Sequence, residues 1–153
     1  MLVPLNIKEI KANGGLLETD DLYNDEKGLI WSGNNYDILY YGGDQYTGGK
    51  PFTGILYMLY PNGNLKHYET FKFGVYYGDY YKFYMNGNIK KYMEYKAGSL
   101  TGKVLTFFEN GSKKSDEVYK MGFCISKIVW DIDGNIIENM EKPEKWIQDF
   151  VNR

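Results

Sequence analysis

Cysteine, histidine and arginine occur once each in this chain of 153 residues, as Cys124, His67 and Arg153. A lone cysteine excludes an intrachain disulfide and a cysteine cluster for a structural metal, and it is compatible with a reducing compartment. With 18 basic against 20 acidic residues, a formal charge of −2 and a single arginine, the chain lacks the basic excess of a nucleic-acid binder, and no nucleic-acid partner is expected. No window approaches the roughly 20 uninterrupted apolar residues of a membrane span. The start, "MLVPLNIKEIKANGG", breaks its apolar stretch with Pro4, Asn6 and Lys8, so no signal peptide is evident and a cytoplasmic location is expected. Prolines number only 4, against 18 glycines and 16 tyrosines, a balance that favours strands and turns over helices.

What the chain does have is a period. Gly54, Gly78 and Gly102 are spaced by 24 residues, and the same interval separates Gly63, Gly87 and Gly111, then Gly74, Gly98 and Gly122. Asn62, Asn86 and Asn110 precede the middle glycines in register, and two lysine columns follow, Lys66/Lys90/Lys114 and Lys72/Lys96/Lys120. A degraded fourth copy continues through "SKIVWDIDGNII", and "YTGGKPFTG" suggests a partial copy ahead of the first. Within each unit an aromatic-rich stretch such as "GDYYKFY" runs into Asn-Gly, a short hairpin signal associated with a type I′ turn, and the returning strand ends at a second glycine corner. One hairpin is marginal in water, but hairpins in a row stabilise one another. The expected fold is therefore all-β, an elongated antiparallel meander of 24-residue hairpins forming a single thin sheet without a helical cover.

Three segments are expected. Residues 1–27 form an acidic lead-in, 28–137 carry the hairpin repeats, and 138–153 contain a short C-terminal helix. That helix begins near Pro143 and carries Trp146, Ile147, Phe150 and Val151 at helical spacing; it is expected to cap the open sheet edge.

The stretch "PFTGILYMLYPNGNLKHYETFKFG" and its successors "GDYYKFYMNGNIKKYMEYKAG" and "TGKVLTFFENGSKK" resemble the MORN repeat variant, whose units carry a Tyr-x-Asn-Gly-x-x-Lys core. The region before them, "GLIWSGNNYDILYYGGDQYTGGKPFTG", resembles that preceding the repeats in bacterial MORN-variant proteins classed as antitoxins or immunity proteins of polymorphic toxin systems. The resemblance implies a protein that neutralises a cognate toxin by stoichiometric binding. It also admits a scaffold with peripheral contact to acidic phospholipid membrane.

No catalytic, cofactor or metal site is expected. His67 occupies a lysine column and reads as a solvent-facing strand residue, Cys124 as a structural thiol, and "DIDGN" at 131–135 as a hairpin turn. No Gly-x-Ser-x-Gly nucleophile turn occurs. The candidate partner-binding residues are Tyr57, Tyr60, Tyr81 and Tyr84 together with Lys66, Lys90, Lys114, Lys72, Lys96 and Lys120. Even spacing along the strand places the two lysine columns on one face as parallel rows.

Overall fold

The 24-residue period becomes a ladder of strands. The structure, a computed structural model, describes residues 2–19, 22, 28–31 and 38–153. Seven antiparallel hairpin pairings join β5 (Gly54–Leu59), β6 (Leu65–Lys72), β7 (Val75–Phe83), β8 (Ile89–Lys96), β9 (Ser99–Phe107), β10 (Lys113–Lys120), β11 (Phe123–Trp130) and β12 (Ile136–Met140), each strand beside its sequence neighbour. A two-residue strand, β1 (Leu16–Leu17), lies parallel to β5 and completes a nine-stranded sheet. The chain is an all-β meander with a short C-terminal helix.

The turn chemistry is the reverse of the expected one. Asn62, Asn86 and Asn110 have no positive φ. Instead the Tyr60 carbonyl accepts from the Gly63 N–H, with Gly63 at φ 86°, and the Tyr60 N–H donates to the Asn64 carbonyl. This is a three-residue loop in which only the last position needs glycine, and Pro61 suits its first position. The two-residue turns with positive φ at both centres are Phe73-Gly74 (52°, 81°), Ala97-Gly98 (48°, 80°) and Met121-Gly122 (53°, 84°). Non-glycine residues thus sit in the left-handed region once per unit, at a cost of about 1–2 kcal/mol each relative to the right-handed conformation.

The sheet is not uncovered. Helix α1 (Ile7–Ala12) starts at a capping box in which the Asn6 side chain accepts from the Glu9 N–H and the Glu9 carboxylate accepts from the Asn6 N–H. It drops Ile10, with Leu2 and Leu5, onto a tyrosine row formed by Tyr57, Tyr68, Tyr81 and Tyr92. The opposite face of the sheet carries a second core: Leu56 and Phe71 pack against Leu29, Leu39 and Phe52. Those last three come from or adjoin a separate three-stranded sheet, β2 (Leu29–Trp31), β3 (Leu39–Tyr41) and β4 (Lys50–Pro51). The strands described between residues 28 and 53, a stretch expected as repeat, therefore form a second small sheet, docked by the Leu39 N–H donating to the Gly74 carbonyl and the Gly74 N–H donating to the Phe52 carbonyl.

Helix α2 (Lys145–Val151) forms where expected, with Trp146 and Phe150 edge-on to Phe123 of β11 at 5.5 and 5.1 Å. β12 pairs only with Lys127–Trp130, so α2 packs beside the part of β11 that β12 leaves. The outer edge of β12 carries exposed Ile136 and Ile137 and pairs with no strand among the described residues. Capping of the open edge is thus partial.

Two substitutions test the turn assignment. Ala97→Asn, which gives the turn its preferred Asn-Gly pair, should stabilise by about 0.5–1 kcal/mol and raise Tm by a few degrees. Gly87→Val, at φ 92°, should cost about 1–3 kcal/mol and lower Tm. Thermal melts by circular dichroism read both; an unchanged Tm in both variants would contradict the two turn types.

Candidate functional site

Each lysine of the first column is the extra residue of a β-bulge. Met58 opposes His67 while Leu59 opposes Leu65, which leaves Lys66 unpaired. The same shift leaves out Lys90 between β7 and β8, and Lys114 between β9 and β10. A bulge breaks the two-residue alternation, so the lysine and the residue after it share a side. Lys90, Lys91, Lys114 and Ser115 accordingly line one concavity. The second column is displaced to the other side: Phe71 faces the second core, so Lys72 beside it points to the α1 face, and Lys96 follows Tyr95 in the same way. The two rows lie on opposite faces, which corrects the expectation of one continuous strip.

The first row is braced by rings. Lys66, Lys90 and Lys114 place Nζ 5.8, 5.3 and 5.5 Å from the ring centres of Tyr60, Tyr84 and Phe108. Such contacts at exposed sites stabilise by about 0.5–1 kcal/mol. Tyr60 and Tyr84 also tie consecutive units, their hydroxyls donating to the carbonyls of Phe83 (2.7 Å) and Phe107 (2.9 Å). Phe108, the third copy, has no hydroxyl to repeat the tie. In the second row, Lys72 lies 5.1 Å from the Tyr77 ring.

The tyrosine candidates divide. Tyr57 and Tyr81 are 4% and 3% exposed in the core beneath α1, so they pack the fold and offer no contact surface. Tyr60 and Tyr84 stand with the lysines on the opposite face.

The concavity beside them has a volume of about 390 Å³. Lys82, Lys90, Lys91, Lys114 and Lys127 surround it, with Glu117 and Glu138. Lys127 is paired to Glu138 at 3.3 Å; the other four lysines form no salt bridge among the described residues. Its floor is fixed by Ser115, buried, whose Oγ lies 2.7 Å from Thr106 Oγ1 and donates to Glu117 Oε1 at 3.0 Å. The Tyr119 hydroxyl donates to the other oxygen of Glu117. Glu117 is thereby held by hydroxyl groups, leaving the surrounding ammonium groups to an incoming anion.

Three further sequence readings can be placed. Cys124 is half-buried, its thiol donating to the Ser126 carbonyl, and burial together with the nearby Glu117 charge pushes its pKa up, away from thiolate. "DIDGN" forms the β11–β12 turn, with the Asp131 carboxylate held below its ordinary range by hydrogen bonds from the Asn135 side chain and backbone. His67 is not solvent-facing: its side chain is 14% exposed and Nε2 lies 3.0 Å from Glu18 Oε2. Its ring stacks on Tyr80 at 9°. Glu69, two residues on and 8% exposed, joins the same cluster. Burial first, and then the Glu18 charge, pushes the Glu69 pKa up to about 7. The alternation of His67 and Glu69 was visible in sequence; the arrival of Glu18 from 49 residues away was not.

Comparison of the chain with protein-family models, with curated proteins and with solved structures finds no match.

The unit-to-unit tie makes a quantitative prediction. Tyr84→Phe removes one hydroxyl donor to a backbone carbonyl and should cost about 1 kcal/mol, lowering Tm by about 2–4 °C in a chain of this size. Phe at 108 already lacks that donor, so Phe108→Leu should disturb only the packing beneath Lys114, and chemical denaturation of the two variants separates the contributions.

Proposed function

We propose that the chain works by stoichiometric association with a partner protein through the lysine-lined concavity, and that its role is that of an antitoxin or immunity protein acting on a cognate toxin. The role rests on the resemblance of the repeat units; the binding surface rests on the concavity of β7–β11. Four ammonium groups without a carboxylate partner among the described residues surround a rigid, hydroxyl-lined floor. That arrangement suits an acidic protrusion on a folded partner. Electrostatic complementarity of this kind speeds encounter and fixes register, and a floor built on paired strands loses little entropy on binding.

A second reading is docking to acidic phospholipid, which the lysine columns favour by their number. Geometry weighs against it: the two columns occupy opposite faces, and the one beside Tyr60 and Tyr84 borders a hollow. A planar bilayer meets neither arrangement well. Among the described residues no helix is long and apolar enough to cross a membrane.

Co-expression with the products of the flanking genes, followed by titration calorimetry at two salt concentrations, tests the proposal. One flanking product should bind 1:1 and lose activity. Lys90→Glu with Lys114→Glu should weaken binding at least tenfold, while Lys72→Glu with Lys96→Glu on the other face should leave it within a factor of two. Absence of binding to any flanking product would overturn the antitoxin role, and insensitivity to the first pair would overturn the binding face. Salt-sensitive co-flotation with phosphatidylserine vesicles, without protein binding, would transfer the function to the lipid reading.

A further inference from the structure

His67 and Glu69 stand two residues apart on β6, and both side chains leave the face opposite α1. Glu18, the residue after β1, is held there by its own N–H donating to the Tyr57 carbonyl, and its side chain reaches across β5 to the same point. One imidazole nitrogen and one oxygen from each carboxylate lie within 4.8 Å of one another. Within the set, His67 Nε2 and Glu18 Oε2 are 3.0 Å apart. Bonds of about 2.0–2.2 Å to a shared cation set neighbouring donor atoms about 3.0–3.5 Å apart, so this pair already has the spacing of two ligands. Glu69 closes the set by turning its carboxylate, a rotation about a broad terminal torsion.

Burial gives the cluster its meaning. The side chains of His67 and Glu18 are 14% and 17% exposed and Glu69 is 8% exposed, so the two carboxylates are drawn out of water side by side. Buried charges in proteins are paired or coordinate metals. The imidazole serves one carboxylate, the Tyr76 hydroxyl reaches Glu69, and Lys82, across the strand pair from His67, supplies the nearby cationic field. A divalent cation balances both carboxylates at once. The neutral imidazole then selects among cations: oxygen donors alone suit calcium or magnesium, whereas a nitrogen with two oxygens suits Zn2+, Co2+ or Mn2+. The Tyr80 ring stacked on His67 fixes the plane of the ligand, as groups outside a metal's own ligands commonly do.

We propose that Glu18, His67 and Glu69 form a binding site for one divalent transition-metal ion, which fastens the N-terminal segment to the repeat sheet. The site is structural in kind: its three ligands join the end of β1 to β6 across β5, and the ion cross-links Glu18 to His67, 49 residues apart. It adjoins the lysine-lined concavity, with Lys82 between the two, and it is independent of the identity of any partner.

Tag-free protein titrated with ZnCl2 in a calorimeter should bind one equivalent, and its Tm should rise with Zn2+ concentration. Addition of CoCl2 should produce visible absorption bands that report nitrogen and oxygen ligation directly. His67→Gln and Glu18→Gln, each checked for native circular dichroism, should weaken Zn2+ binding at least tenfold and abolish the cobalt bands. Glu18 is the milder substitution, so it keeps the test valid if His67→Gln or a Glu69 variant misfolds. Cys124→Ser and Asp131→Asn, which alter the thiol and the acidic turn elsewhere, should bind Zn2+ as the parent does. Absence of saturable binding in the parent, or parent-like binding in both ligand variants, would overturn the site.

Discussion

Everything in this molecule depends on each strand from β6 to β11 being paired on both sides with its immediate sequence neighbours. Tyr57, Tyr68, Tyr81, Tyr92 and Leu105 face one another in consecutive registers, so a single row of side chains runs across five strands. The rings of Tyr68 and Tyr81 stand 5.2 Å apart and those of Tyr81 and Tyr92 4.8 Å. Aromatic pairs at these distances add about 0.5–1.5 kcal/mol beyond area burial, and the Tyr81 ring takes part in both. Removing that ring therefore weakens both neighbouring strand pairings. The hydroxyls at the row's flanks are satisfied locally, by the Leu5 N–H at Tyr68 and by Asp79 and Glu94 beside Tyr92. Tyrosine suits the row because its ring is buried in a core only one layer deep while its polar end stays within reach of a partner.

Strand pairing alone would give a uniform ribbon. The bulges make its two faces unlike. Each unit carries one at the lysine column, and a wider one where Gly78 and Gly102 lie, three residues of β7 or β9 opposing a single Thr70 or Glu94. Glycine is required at the second by contact as well as by φ: at Gly102 a Cβ would stand 1.9 Å from Glu94 Oε2, whose carboxylate accepts from the Lys103 N–H. The first kind turns Lys66, Lys90 and Lys114 toward the face that α1 leaves, where their ring contacts hold them in order. Chemistry that differs between faces is thus a product of backbone irregularity repeated at the period of the sequence.

The period, the strand content, the hairpin order and the C-terminal helix were legible because each is written in local residue choice repeated several times. Three features were not. The positive-φ pair falls on Phe73-Gly74 and its equivalents, since hairpin length is decided by the register of the flanking strands and Asn-Gly serves a three-residue loop equally well. The face of the lysine columns could not be counted from parity, because one bulge between Lys66 and Lys72 inverts it. The cover over the sheet comes from Ile10 above the tyrosines and from the small sheet around Leu39 on the opposite face, both outside the repeat and without internal periodicity. A local signal did exist for α1, the Asn6-x-x-Glu9 capping box. None existed for Glu18, whose position follows from β1 pairing with β5.

These features give the sheet a gradient along its strand order. At the β5–β7 end both faces are occupied, by α1 on one side and by the three-stranded sheet on the other, and the acidic-histidine cluster lies in that closed region. Toward β9–β11 the face bearing the lysines is uncovered among the described residues, and the residues that would pack a core there are Thr106, Ser115 and Glu117, polar groups bonded to one another. A floor of satisfied hydroxyls is stable in water and stable against a polar partner, whereas an apolar floor would recruit another sheet. The repeat therefore uses the same backbone twice: where its columns are aromatic the face closes on the chain itself, and where they turn to hydroxyl and lysine it stays open to something else.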